Sequence, residues 1–395
     1  APDCTKDMAT EGLDLCVDGD YLFAKGTTLG GDDGIAVAIS LAILDSDLPS
    51  PALEVVITTD EETGMTGAFN IDTSVLKSKT IINIDSEAEG VFTVSCAGGN
   101  RAICTLPIKR IKNDKNAYKI SVSGLTGGHS GTEIDKGRAN ADVLLARILL
   151  SLSHSLPFNI SSVCGGEKGN AIPVKSEAII AAEDFETLKN ACCKIGEEIK
   201  NEFAETDSEL EIDVIPTHAV TVFDENSTQK TIFMLNNLPN GIYAMSQSIK
   251  GLVQTSLNMG IVSTTESEVE VSFCVRSSVE SQKMMLNQKM ECLMSLIGGS
   301  FEIFGNYPGW QYRKDSPLRE LMSEIYFEQN SRKPKIEAIH AGLECGLFAG
   351  KINDLDCISI GPDILEIHTF RERLSISSTE RVYKLITETL KRMNR

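Results

Sequence analysis

Gly26-Thr27-Thr28-Leu29-Gly30-Gly31-Asp32-Asp33-Gly34 runs directly into the apolar stretch 35–44. Glycines let backbone approach a ligand closely, and an aspartate ahead of an apolar run caps the helix that follows. One aspartate is enough for a cap, which leaves the other free. Working outward, 53–59 reads as a strand that runs out at Glu61-Glu62, 63–69 as a short helix, and 80–84 as a second strand that ends at Asp85. Crossovers of this kind favour a mainly parallel sheet. Open α/β sheets bind ligands beyond the carboxyl ends of their strands, where Glu61, Glu62 and Asp85 fall.

Composition narrows the function classes. The 395 residues are 42% hydrophobic, enough to bury sizeable cores in more than one domain. Against 37 Lys and Arg stand 56 Asp and Glu, a net charge of −19 spread along the chain. That balance argues against a nucleic-acid partner. No uncharged apolar run is long enough to cross a bilayer, and the first residues lack a signal-peptide pattern, so the expectation is a cytoplasmic protein without a membrane partner. The 11 cysteines form no CxxC pairs, and most read as small buried hydrophobes. Cys192 and Cys193 face different directions of a helix over 185–203, and Cys345 is the one with a conceivable nucleophilic role.

From about Gly98 to Asn306 the texture changes to amphipathic helices interleaved with alternating strands. Helix 140–152, strands around Ile160 and Ala178, helix 185–203 and strand 209–215 are echoed by helix 228–238, strands near Ser256 and Val269, helix 280–297 and strand 301–304. This pattern predicts two similar α+β modules. The α/β style returns after Tyr307-Pro308-Gly309-Trp310, with helices 317–329 and 378–392 and a strand at 356–360. The expected fold is therefore α/β: a discontinuous, mainly parallel-sheet catalytic domain formed by 1–97 and 308–395, with an α+β lid domain inserted at 98–307.

Several carboxylates gathered at one sheet edge repel one another, and a site that keeps them ionised usually holds metal. Glu61 and Glu62 leave a strand in different directions, so one suits a metal and the other a water; alternatively they solvate a strand end and cap the next helix. Asp32-Asp33 reads as a cap with a spare bridging carboxylate, Asp85 as a ligand or a solvated strand end, and His368 as a nitrogen ligand or a surface histidine. Their coincidence favours one metal centre.

Gly26–Gly34, Thr58-Thr59-Asp60-Glu61-Glu62-Thr63-Gly64, Asn83-Ile84-Asp85-Ser86-Glu87, Gly127-Gly128-His129-Ser130-Gly131, Gly169-Asn170-Ala171-Ile172-Pro173 and His340-Ala341-Gly342-Leu343-Glu344-Cys345-Gly346 follow in order along the chain. Together they closely resemble the aminoacyl-histidine dipeptidases of the M20 metallopeptidase family. The resemblance implies two Zn2+ ions, with Co2+ and Mn2+ acceptable to the same donors. It implies Asp32 as the bridging ligand, Glu62 and His368 on one ion, Asp85 on the other, Glu61 as general base, and a cis peptide after Asp32. It further implies His129 at the scissile carbonyl, Asn170 and Arg276 on the substrate backbone and carboxylate, and His340 and Glu344 along the substrate pocket. Without it, His129 and Asn170 would read as turn residues and Arg276 as a strand charge facing water; His154 and His218 read as surface histidines.

Family members also carry a His-x-Asp motif just before the point matching Ala1, and these 395 residues contain none. Absence of that ligand is expected to weaken one metal site, which leaves activity of these 395 residues by themselves an open question beside the expected metallopeptidase activity. The expected function is hydrolysis of unblocked dipeptides such as Xaa-His by a monomer or homodimer. Two alternatives stand: an M20-type amidohydrolase acting on N-acyl amino acids, and a non-catalytic peptide-binding homologue.

Overall fold

The structure, a computed structural model, describes residues 4–62 and 64–394. Thr63, where the first short helix was expected to start, lies outside them; the helix described there is Thr66–Asn70. The chain divides into two compact units. One comprises the residues up to Cys96, Trp310–Ile339 and the residues from Leu343 onward; the other comprises Ala97–Gly309 and His340–Gly342.

In the first unit, four strands lie in the order Lys335–Ile339, Val91–Cys96, Asp356–Ile360, Thr80–Ile84. Lys335–Ile339 runs parallel to Val91–Cys96, and Asp356–Ile360 runs parallel to Thr80–Ile84. A single antiparallel pair, Ser359 with Thr93, joins the two halves. Parallel strands need long crossovers, and helices Gly31–Leu44, Pro317–Asn330, Glu344–Lys351 and Ile376–Met393 belong to this unit. The helix at 317 starts where its sequence says it should: Pro317 occupies the first turn, and Ser316 Oγ accepts from Arg319 N–H at 3.1 Å.

The strand expected at 53–59 does not form. Its β-branched residues give it strand propensity, but a strand exists only as part of a ladder. Here 53–59 joins no ladder; Leu53, Val55 and Val56, together with Thr80–Ile84, line a cavity of about 370 Å3. Leu53, Val55, Val56 and Ile57 are accordingly exposed.

The second unit is built on a large antiparallel sheet. Its main path runs Glu211–Thr217, Asn116–Ser123, Ser176–Ala182, Asn159–Gly165, Val253–Thr264, Glu268–Ser277, Gly98–Pro107, Ser300–Tyr307, and Gly241–Met245 pairs with Val253–Thr264. Read inward from either end the order is the same: each half presents its last strand, its first, its third and its second. The two halves meet where Val262 pairs with Gly165. Helices Ala141–Ser153 and Phe185–Glu202 belong to one half, Glu225–Asn237 and Glu280–Ile297 to the other. The expected two-module pattern is therefore present, with a refinement: the second module's first strand, Gly98–Pro107, precedes the whole of the first module.

Period-two alternation decides what each strand offers. Val269, Val271, Phe273 and Val275 are fully buried in the core with Leu144, Ile148, Leu257, Met290 and Met294, so Ser272 and Arg276 point to the opposite face. Asp184 and Asp224 cap their helices, accepting from Thr187 N–H at 3.0 Å and Ser227 N–H at 2.7 Å. Cys192 is buried and Cys193 exposed, as helical spacing requires. Among the described residues no helix is long and apolar enough to cross a membrane.

Candidate active site

The parallel pair Thr80–Ile84 and Asp356–Ile360 brings the first acidic residue into place. Asp85 N–H continues the ladder onto Ile360 O at 3.1 Å, so Asp85 stands at the carboxyl end of its strand beside the segment that leads to His368. The close approach fixes Gly361: a Cβ there would lie 1.6 Å from Ser86 O.

The aspartate pair divides its labour. Asp33 accepts from Ala36 N–H and caps the helix. Asp32, joined to it by a cis peptide bond, is left for other work. Asp32 Oδ2 lies 3.3 Å from His368 Nε2, and His368 Nε2 lies 2.9 Å from Glu62 Oε2. Ligand atoms of Asp32, Glu62 and His368 all fall within 4.8 Å of one another. Asp85 is outside that tight group but shares its field. Non-glycine residues in the left-handed region flank the group: Asp60 and Met65 on either side of Glu61-Glu62, and Glu366 and His368 itself. Such conformations persist only where surrounding structure over-determines them.

The carboxylates test whether a cation suits this place. Burial holds Asp85 up to about 8, reinforced by Glu61, Asp33, Asp32 and Glu344. Burial and Asp32 push Asp33 up to about 7. Asp32 and Glu61 are raised by burial first and by Glu62 second, and His368 opposes the rise at both. Glu344, buried in the first turn of its helix, is also raised by burial, although Thr58 Oγ1 donates to its Oε1 at 2.7 Å. Glu344 thus belongs to the acidic cluster. Converging carboxylate oxygens and an imidazole nitrogen, crowded enough to resist ionisation together, fit divalent ions such as zinc, cobalt or manganese.

The second unit carries a cluster of the opposite character. Its centre is Gly131, where a Cβ would meet His340 O at 2.6 Å, His129 Cε1 at 3.0 Å and Arg276 Nε at 3.1 Å. His129 ends the short strand Gly128–His129, paired with Ala171–Ile172, and Ser130 N–H donates to Asn170 O at 2.9 Å. Asn170 therefore adjoins His129 through its backbone, and its side chain is exposed. Thr132 N–H donates to His129 Nδ1 at 3.1 Å, so the neutral ring carries its proton on Nε2. Burial and then Arg276 lower the pKa of His129, which keeps that ring neutral. His340 is buried, pairs with Ser256 Oγ at 2.7 Å through Nε2, and is lowered to about 4 by burial, Arg276 and His129. Arg276, 7% exposed, has a buried Nε without a hydrogen-bond partner. It does not face water as a plain strand charge would.

Other candidates resolve differently. Cys345 is buried, and its thiol is held well above its usual value by a hydrogen bond with Cys357 and by burial, so it is no nucleophile. His154 and His218 are exposed. Sequence reasoning missed Glu372, whose buried carboxylate accepts the backbone N–H groups of Leu29, Gly30, Gly31 and Asp32 at 2.7–3.1 Å. Nothing near it in sequence signals this, since its partners lie about 340 residues away.

Known proteins share the sequence and fold of this chain. Residues 120–207 match the family described as the peptidase dimerisation domain, M20_dimer. A cytosol non-specific dipeptidase from Escherichia coli K12 is 37% identical over 396 residues, spanning 98% of this chain and 81% of the relative. The solved aminoacylhistidine dipeptidase of Vibrio alginolyticus superposes with a TM-score of 0.95 at 33% identity, covering 99% of this chain and 81% of that one. An aminopeptidase PepT from Bacillus cereus, 15% identical with a TM-score of 0.51 over 98% of this chain and 77% of its own, shares the fold.

Proposed function

The chain belongs to the M20 family of metal-dependent dipeptidases, and on that premise we propose that it is a cytoplasmic dinuclear-zinc enzyme cleaving unblocked dipeptides, Xaa-His among them. The observation that carries this reading is the convergence of Asp32, Glu62 and His368 within 4.8 Å, beside Glu61 and Asp85. Asp32 would bridge the ions, Glu62 and His368 would hold one, and Asp85 the other. When bound, such ions supply a water acidified to about pKa 7 and polarise the scissile carbonyl. Glu61, whose carboxyl is raised by burial and by Glu62, would accept the proton of that water and pass it to the leaving amine. His129 donates from Nε2–H to the oxyanion. Arg276, with His340 beside it, and Asn170, which adjoins His129, would bind the peptide's carboxylate and backbone.

In this reading 1–97 and 308–395 form the catalytic domain and 98–307 the inserted lid domain. The match of 120–207 to a dimerisation domain supports a homodimer, which sedimentation would register. Replacing Glu61 with Gln should lower turnover of an unblocked dipeptide by about 10²–10⁴-fold while the protein still binds metal. Turnover equal to that of the wild type would remove Glu61 from the role. Cleavage of N-acetylated amino acids in place of unblocked dipeptides would favour the amidohydrolase reading, and purified protein that takes up no metal would favour a binding protein.

A further inference from the structure

The segment that carries His368 also carries Glu372, and Glu372 reaches the loop that carries Asp32. Its Oε2 accepts from Leu29 N–H and Gly30 N–H, both at 2.8 Å, and its Oε1 accepts from Gly31 N–H at 2.7 Å and Asp32 N–H at 3.1 Å. The side chain is 4% exposed. Successive N–H groups directed at one carboxylate form an anion-binding nest, and hydrogen bonds to an ionised acceptor are the strong kind. Each oxygen already takes two donors, so Glu372 is not a further metal ligand despite lying among acidic residues. The fit is tight: a Cβ on Gly31 would sit 3.2 Å from Glu372 Oε1 and 3.1 Å from Leu29 Cδ2.

We infer that Glu372 is a positioning residue for the reaction: it clamps the 29–32 backbone to the 364–375 segment and so sets the separation of Asp32 from His368. The inference rests on Asp32 being a metal ligand. A glutamine would be the same shape but would turn an NH2 group toward two backbone donors, and an aspartate would keep both acceptor oxygens on a shorter stem. Neither change touches a ligand atom.

The test uses the whole chain. Zinc affinity is measured by competition with a chromogenic chelator, the Co2+ form gives a visible spectrum, and kcat and KM are taken at saturating metal with an unblocked dipeptide. Glu372→Gln, folded by circular dichroism, should bind zinc about 10–100-fold more weakly, the usual effect of losing a partner that orients ligands. Its Co2+ spectrum should shift, and kcat should fall while KM stays close to the wild-type value. Glu372→Asp should recover part of each loss. Gly31→Ala, which crowds the carboxylate from the opposite side, should shift all readouts the same way by less. A folded Glu372→Gln protein with wild-type affinity and spectrum overturns the inference; if that variant does not fold, Gly31→Ala with unchanged values does. A wild-type chain that binds no metal overturns the metal-centre reading itself, and this inference with it.

Discussion

The two units solve opposite electrostatic problems with the same device. In the first, burial crowds carboxylates until Asp33 and Asp85 titrate near 7 and 8. In the second, burial strips protons from His129 and His340 and leaves the Arg276 Nε unpartnered. Low dielectric penalises charge of either sign, so each cluster is completed by what it lacks. The acidic cluster calls for cations. The other offers a neutral N–H donor and a buried guanidinium, which together call for an oxyanion and a carboxylate.

Breaking the first half of this comparison should have the largest effect. His368→Ala removes the nitrogen that lies within 3.3 Å of both Asp32 and Glu62. Metal content after dialysis should fall below that of the wild type and dipeptide turnover should be lost with it; retained metal and turnover would detach His368 from the centre. Arg276→Lys tests the second half. A lysine keeps the charge but loses the planar fork that suits a carboxylate, so KM for an unblocked dipeptide should rise about tenfold, matching the loss of about 1.4 kcal/mol, with metal content unchanged.

The pH dependence sharpens the contrast. His340 is lowered from 6.5 to about 4. Between those values the unfolded chain binds a proton that the folded chain refuses, so its contribution to stability falls as pH drops from about 6.5 to about 4. Asp33 and Asp85 act in reverse: their folded forms retain protons that the unfolded chain has released, so metal-free protein loses stability as pH rises from about 4 toward 8. Where these windows overlap the two carboxylates outweigh the one imidazole, so chelator-treated protein should lose stability in thermal melts as pH rises from about 4 toward 8. Excess divalent metal should remove that fall and uncover the His340 limb, which His340→Gln should then abolish. A flat profile in the metal-free protein would show that the clusters do not differ in this way.

Much of this was legible because it is local. The glycine-rich turn, Asp85 at the end of its strand and the repeated helix-strand order are properties of consecutive residues, and the structure places them as such, whereas Glu61-Glu62 follow no strand. The exceptions depend on partners far along the chain. Residues 53–59 have the composition of a strand and join no ladder. Glu372 looks like one more surface charge between Arg371 and Arg373 until its donors at 29–32 are seen. Arg276 reads as solvent-facing because alternation tells which face it takes, not what covers that face. Cys345 has only its place beside Glu344 to suggest reactivity, and its hydrogen bond with Cys357, which helps hold the thiol protonated, is invisible in sequence.

The inward-reading strand order has a consequence for biosynthesis. Gly98–Pro107 leaves the ribosome before every strand it pairs with, because Glu268–Ser277 and Ser300–Tyr307 are made only after the whole first module. Both of its hydrogen-bonding edges stay bare throughout that interval, and closing so long a loop is slow. The nascent chain thus carries a strand with both edges unpaired, and with the core residues Ala102, Cys104 and Leu106 uncovered, until its last partner is translated.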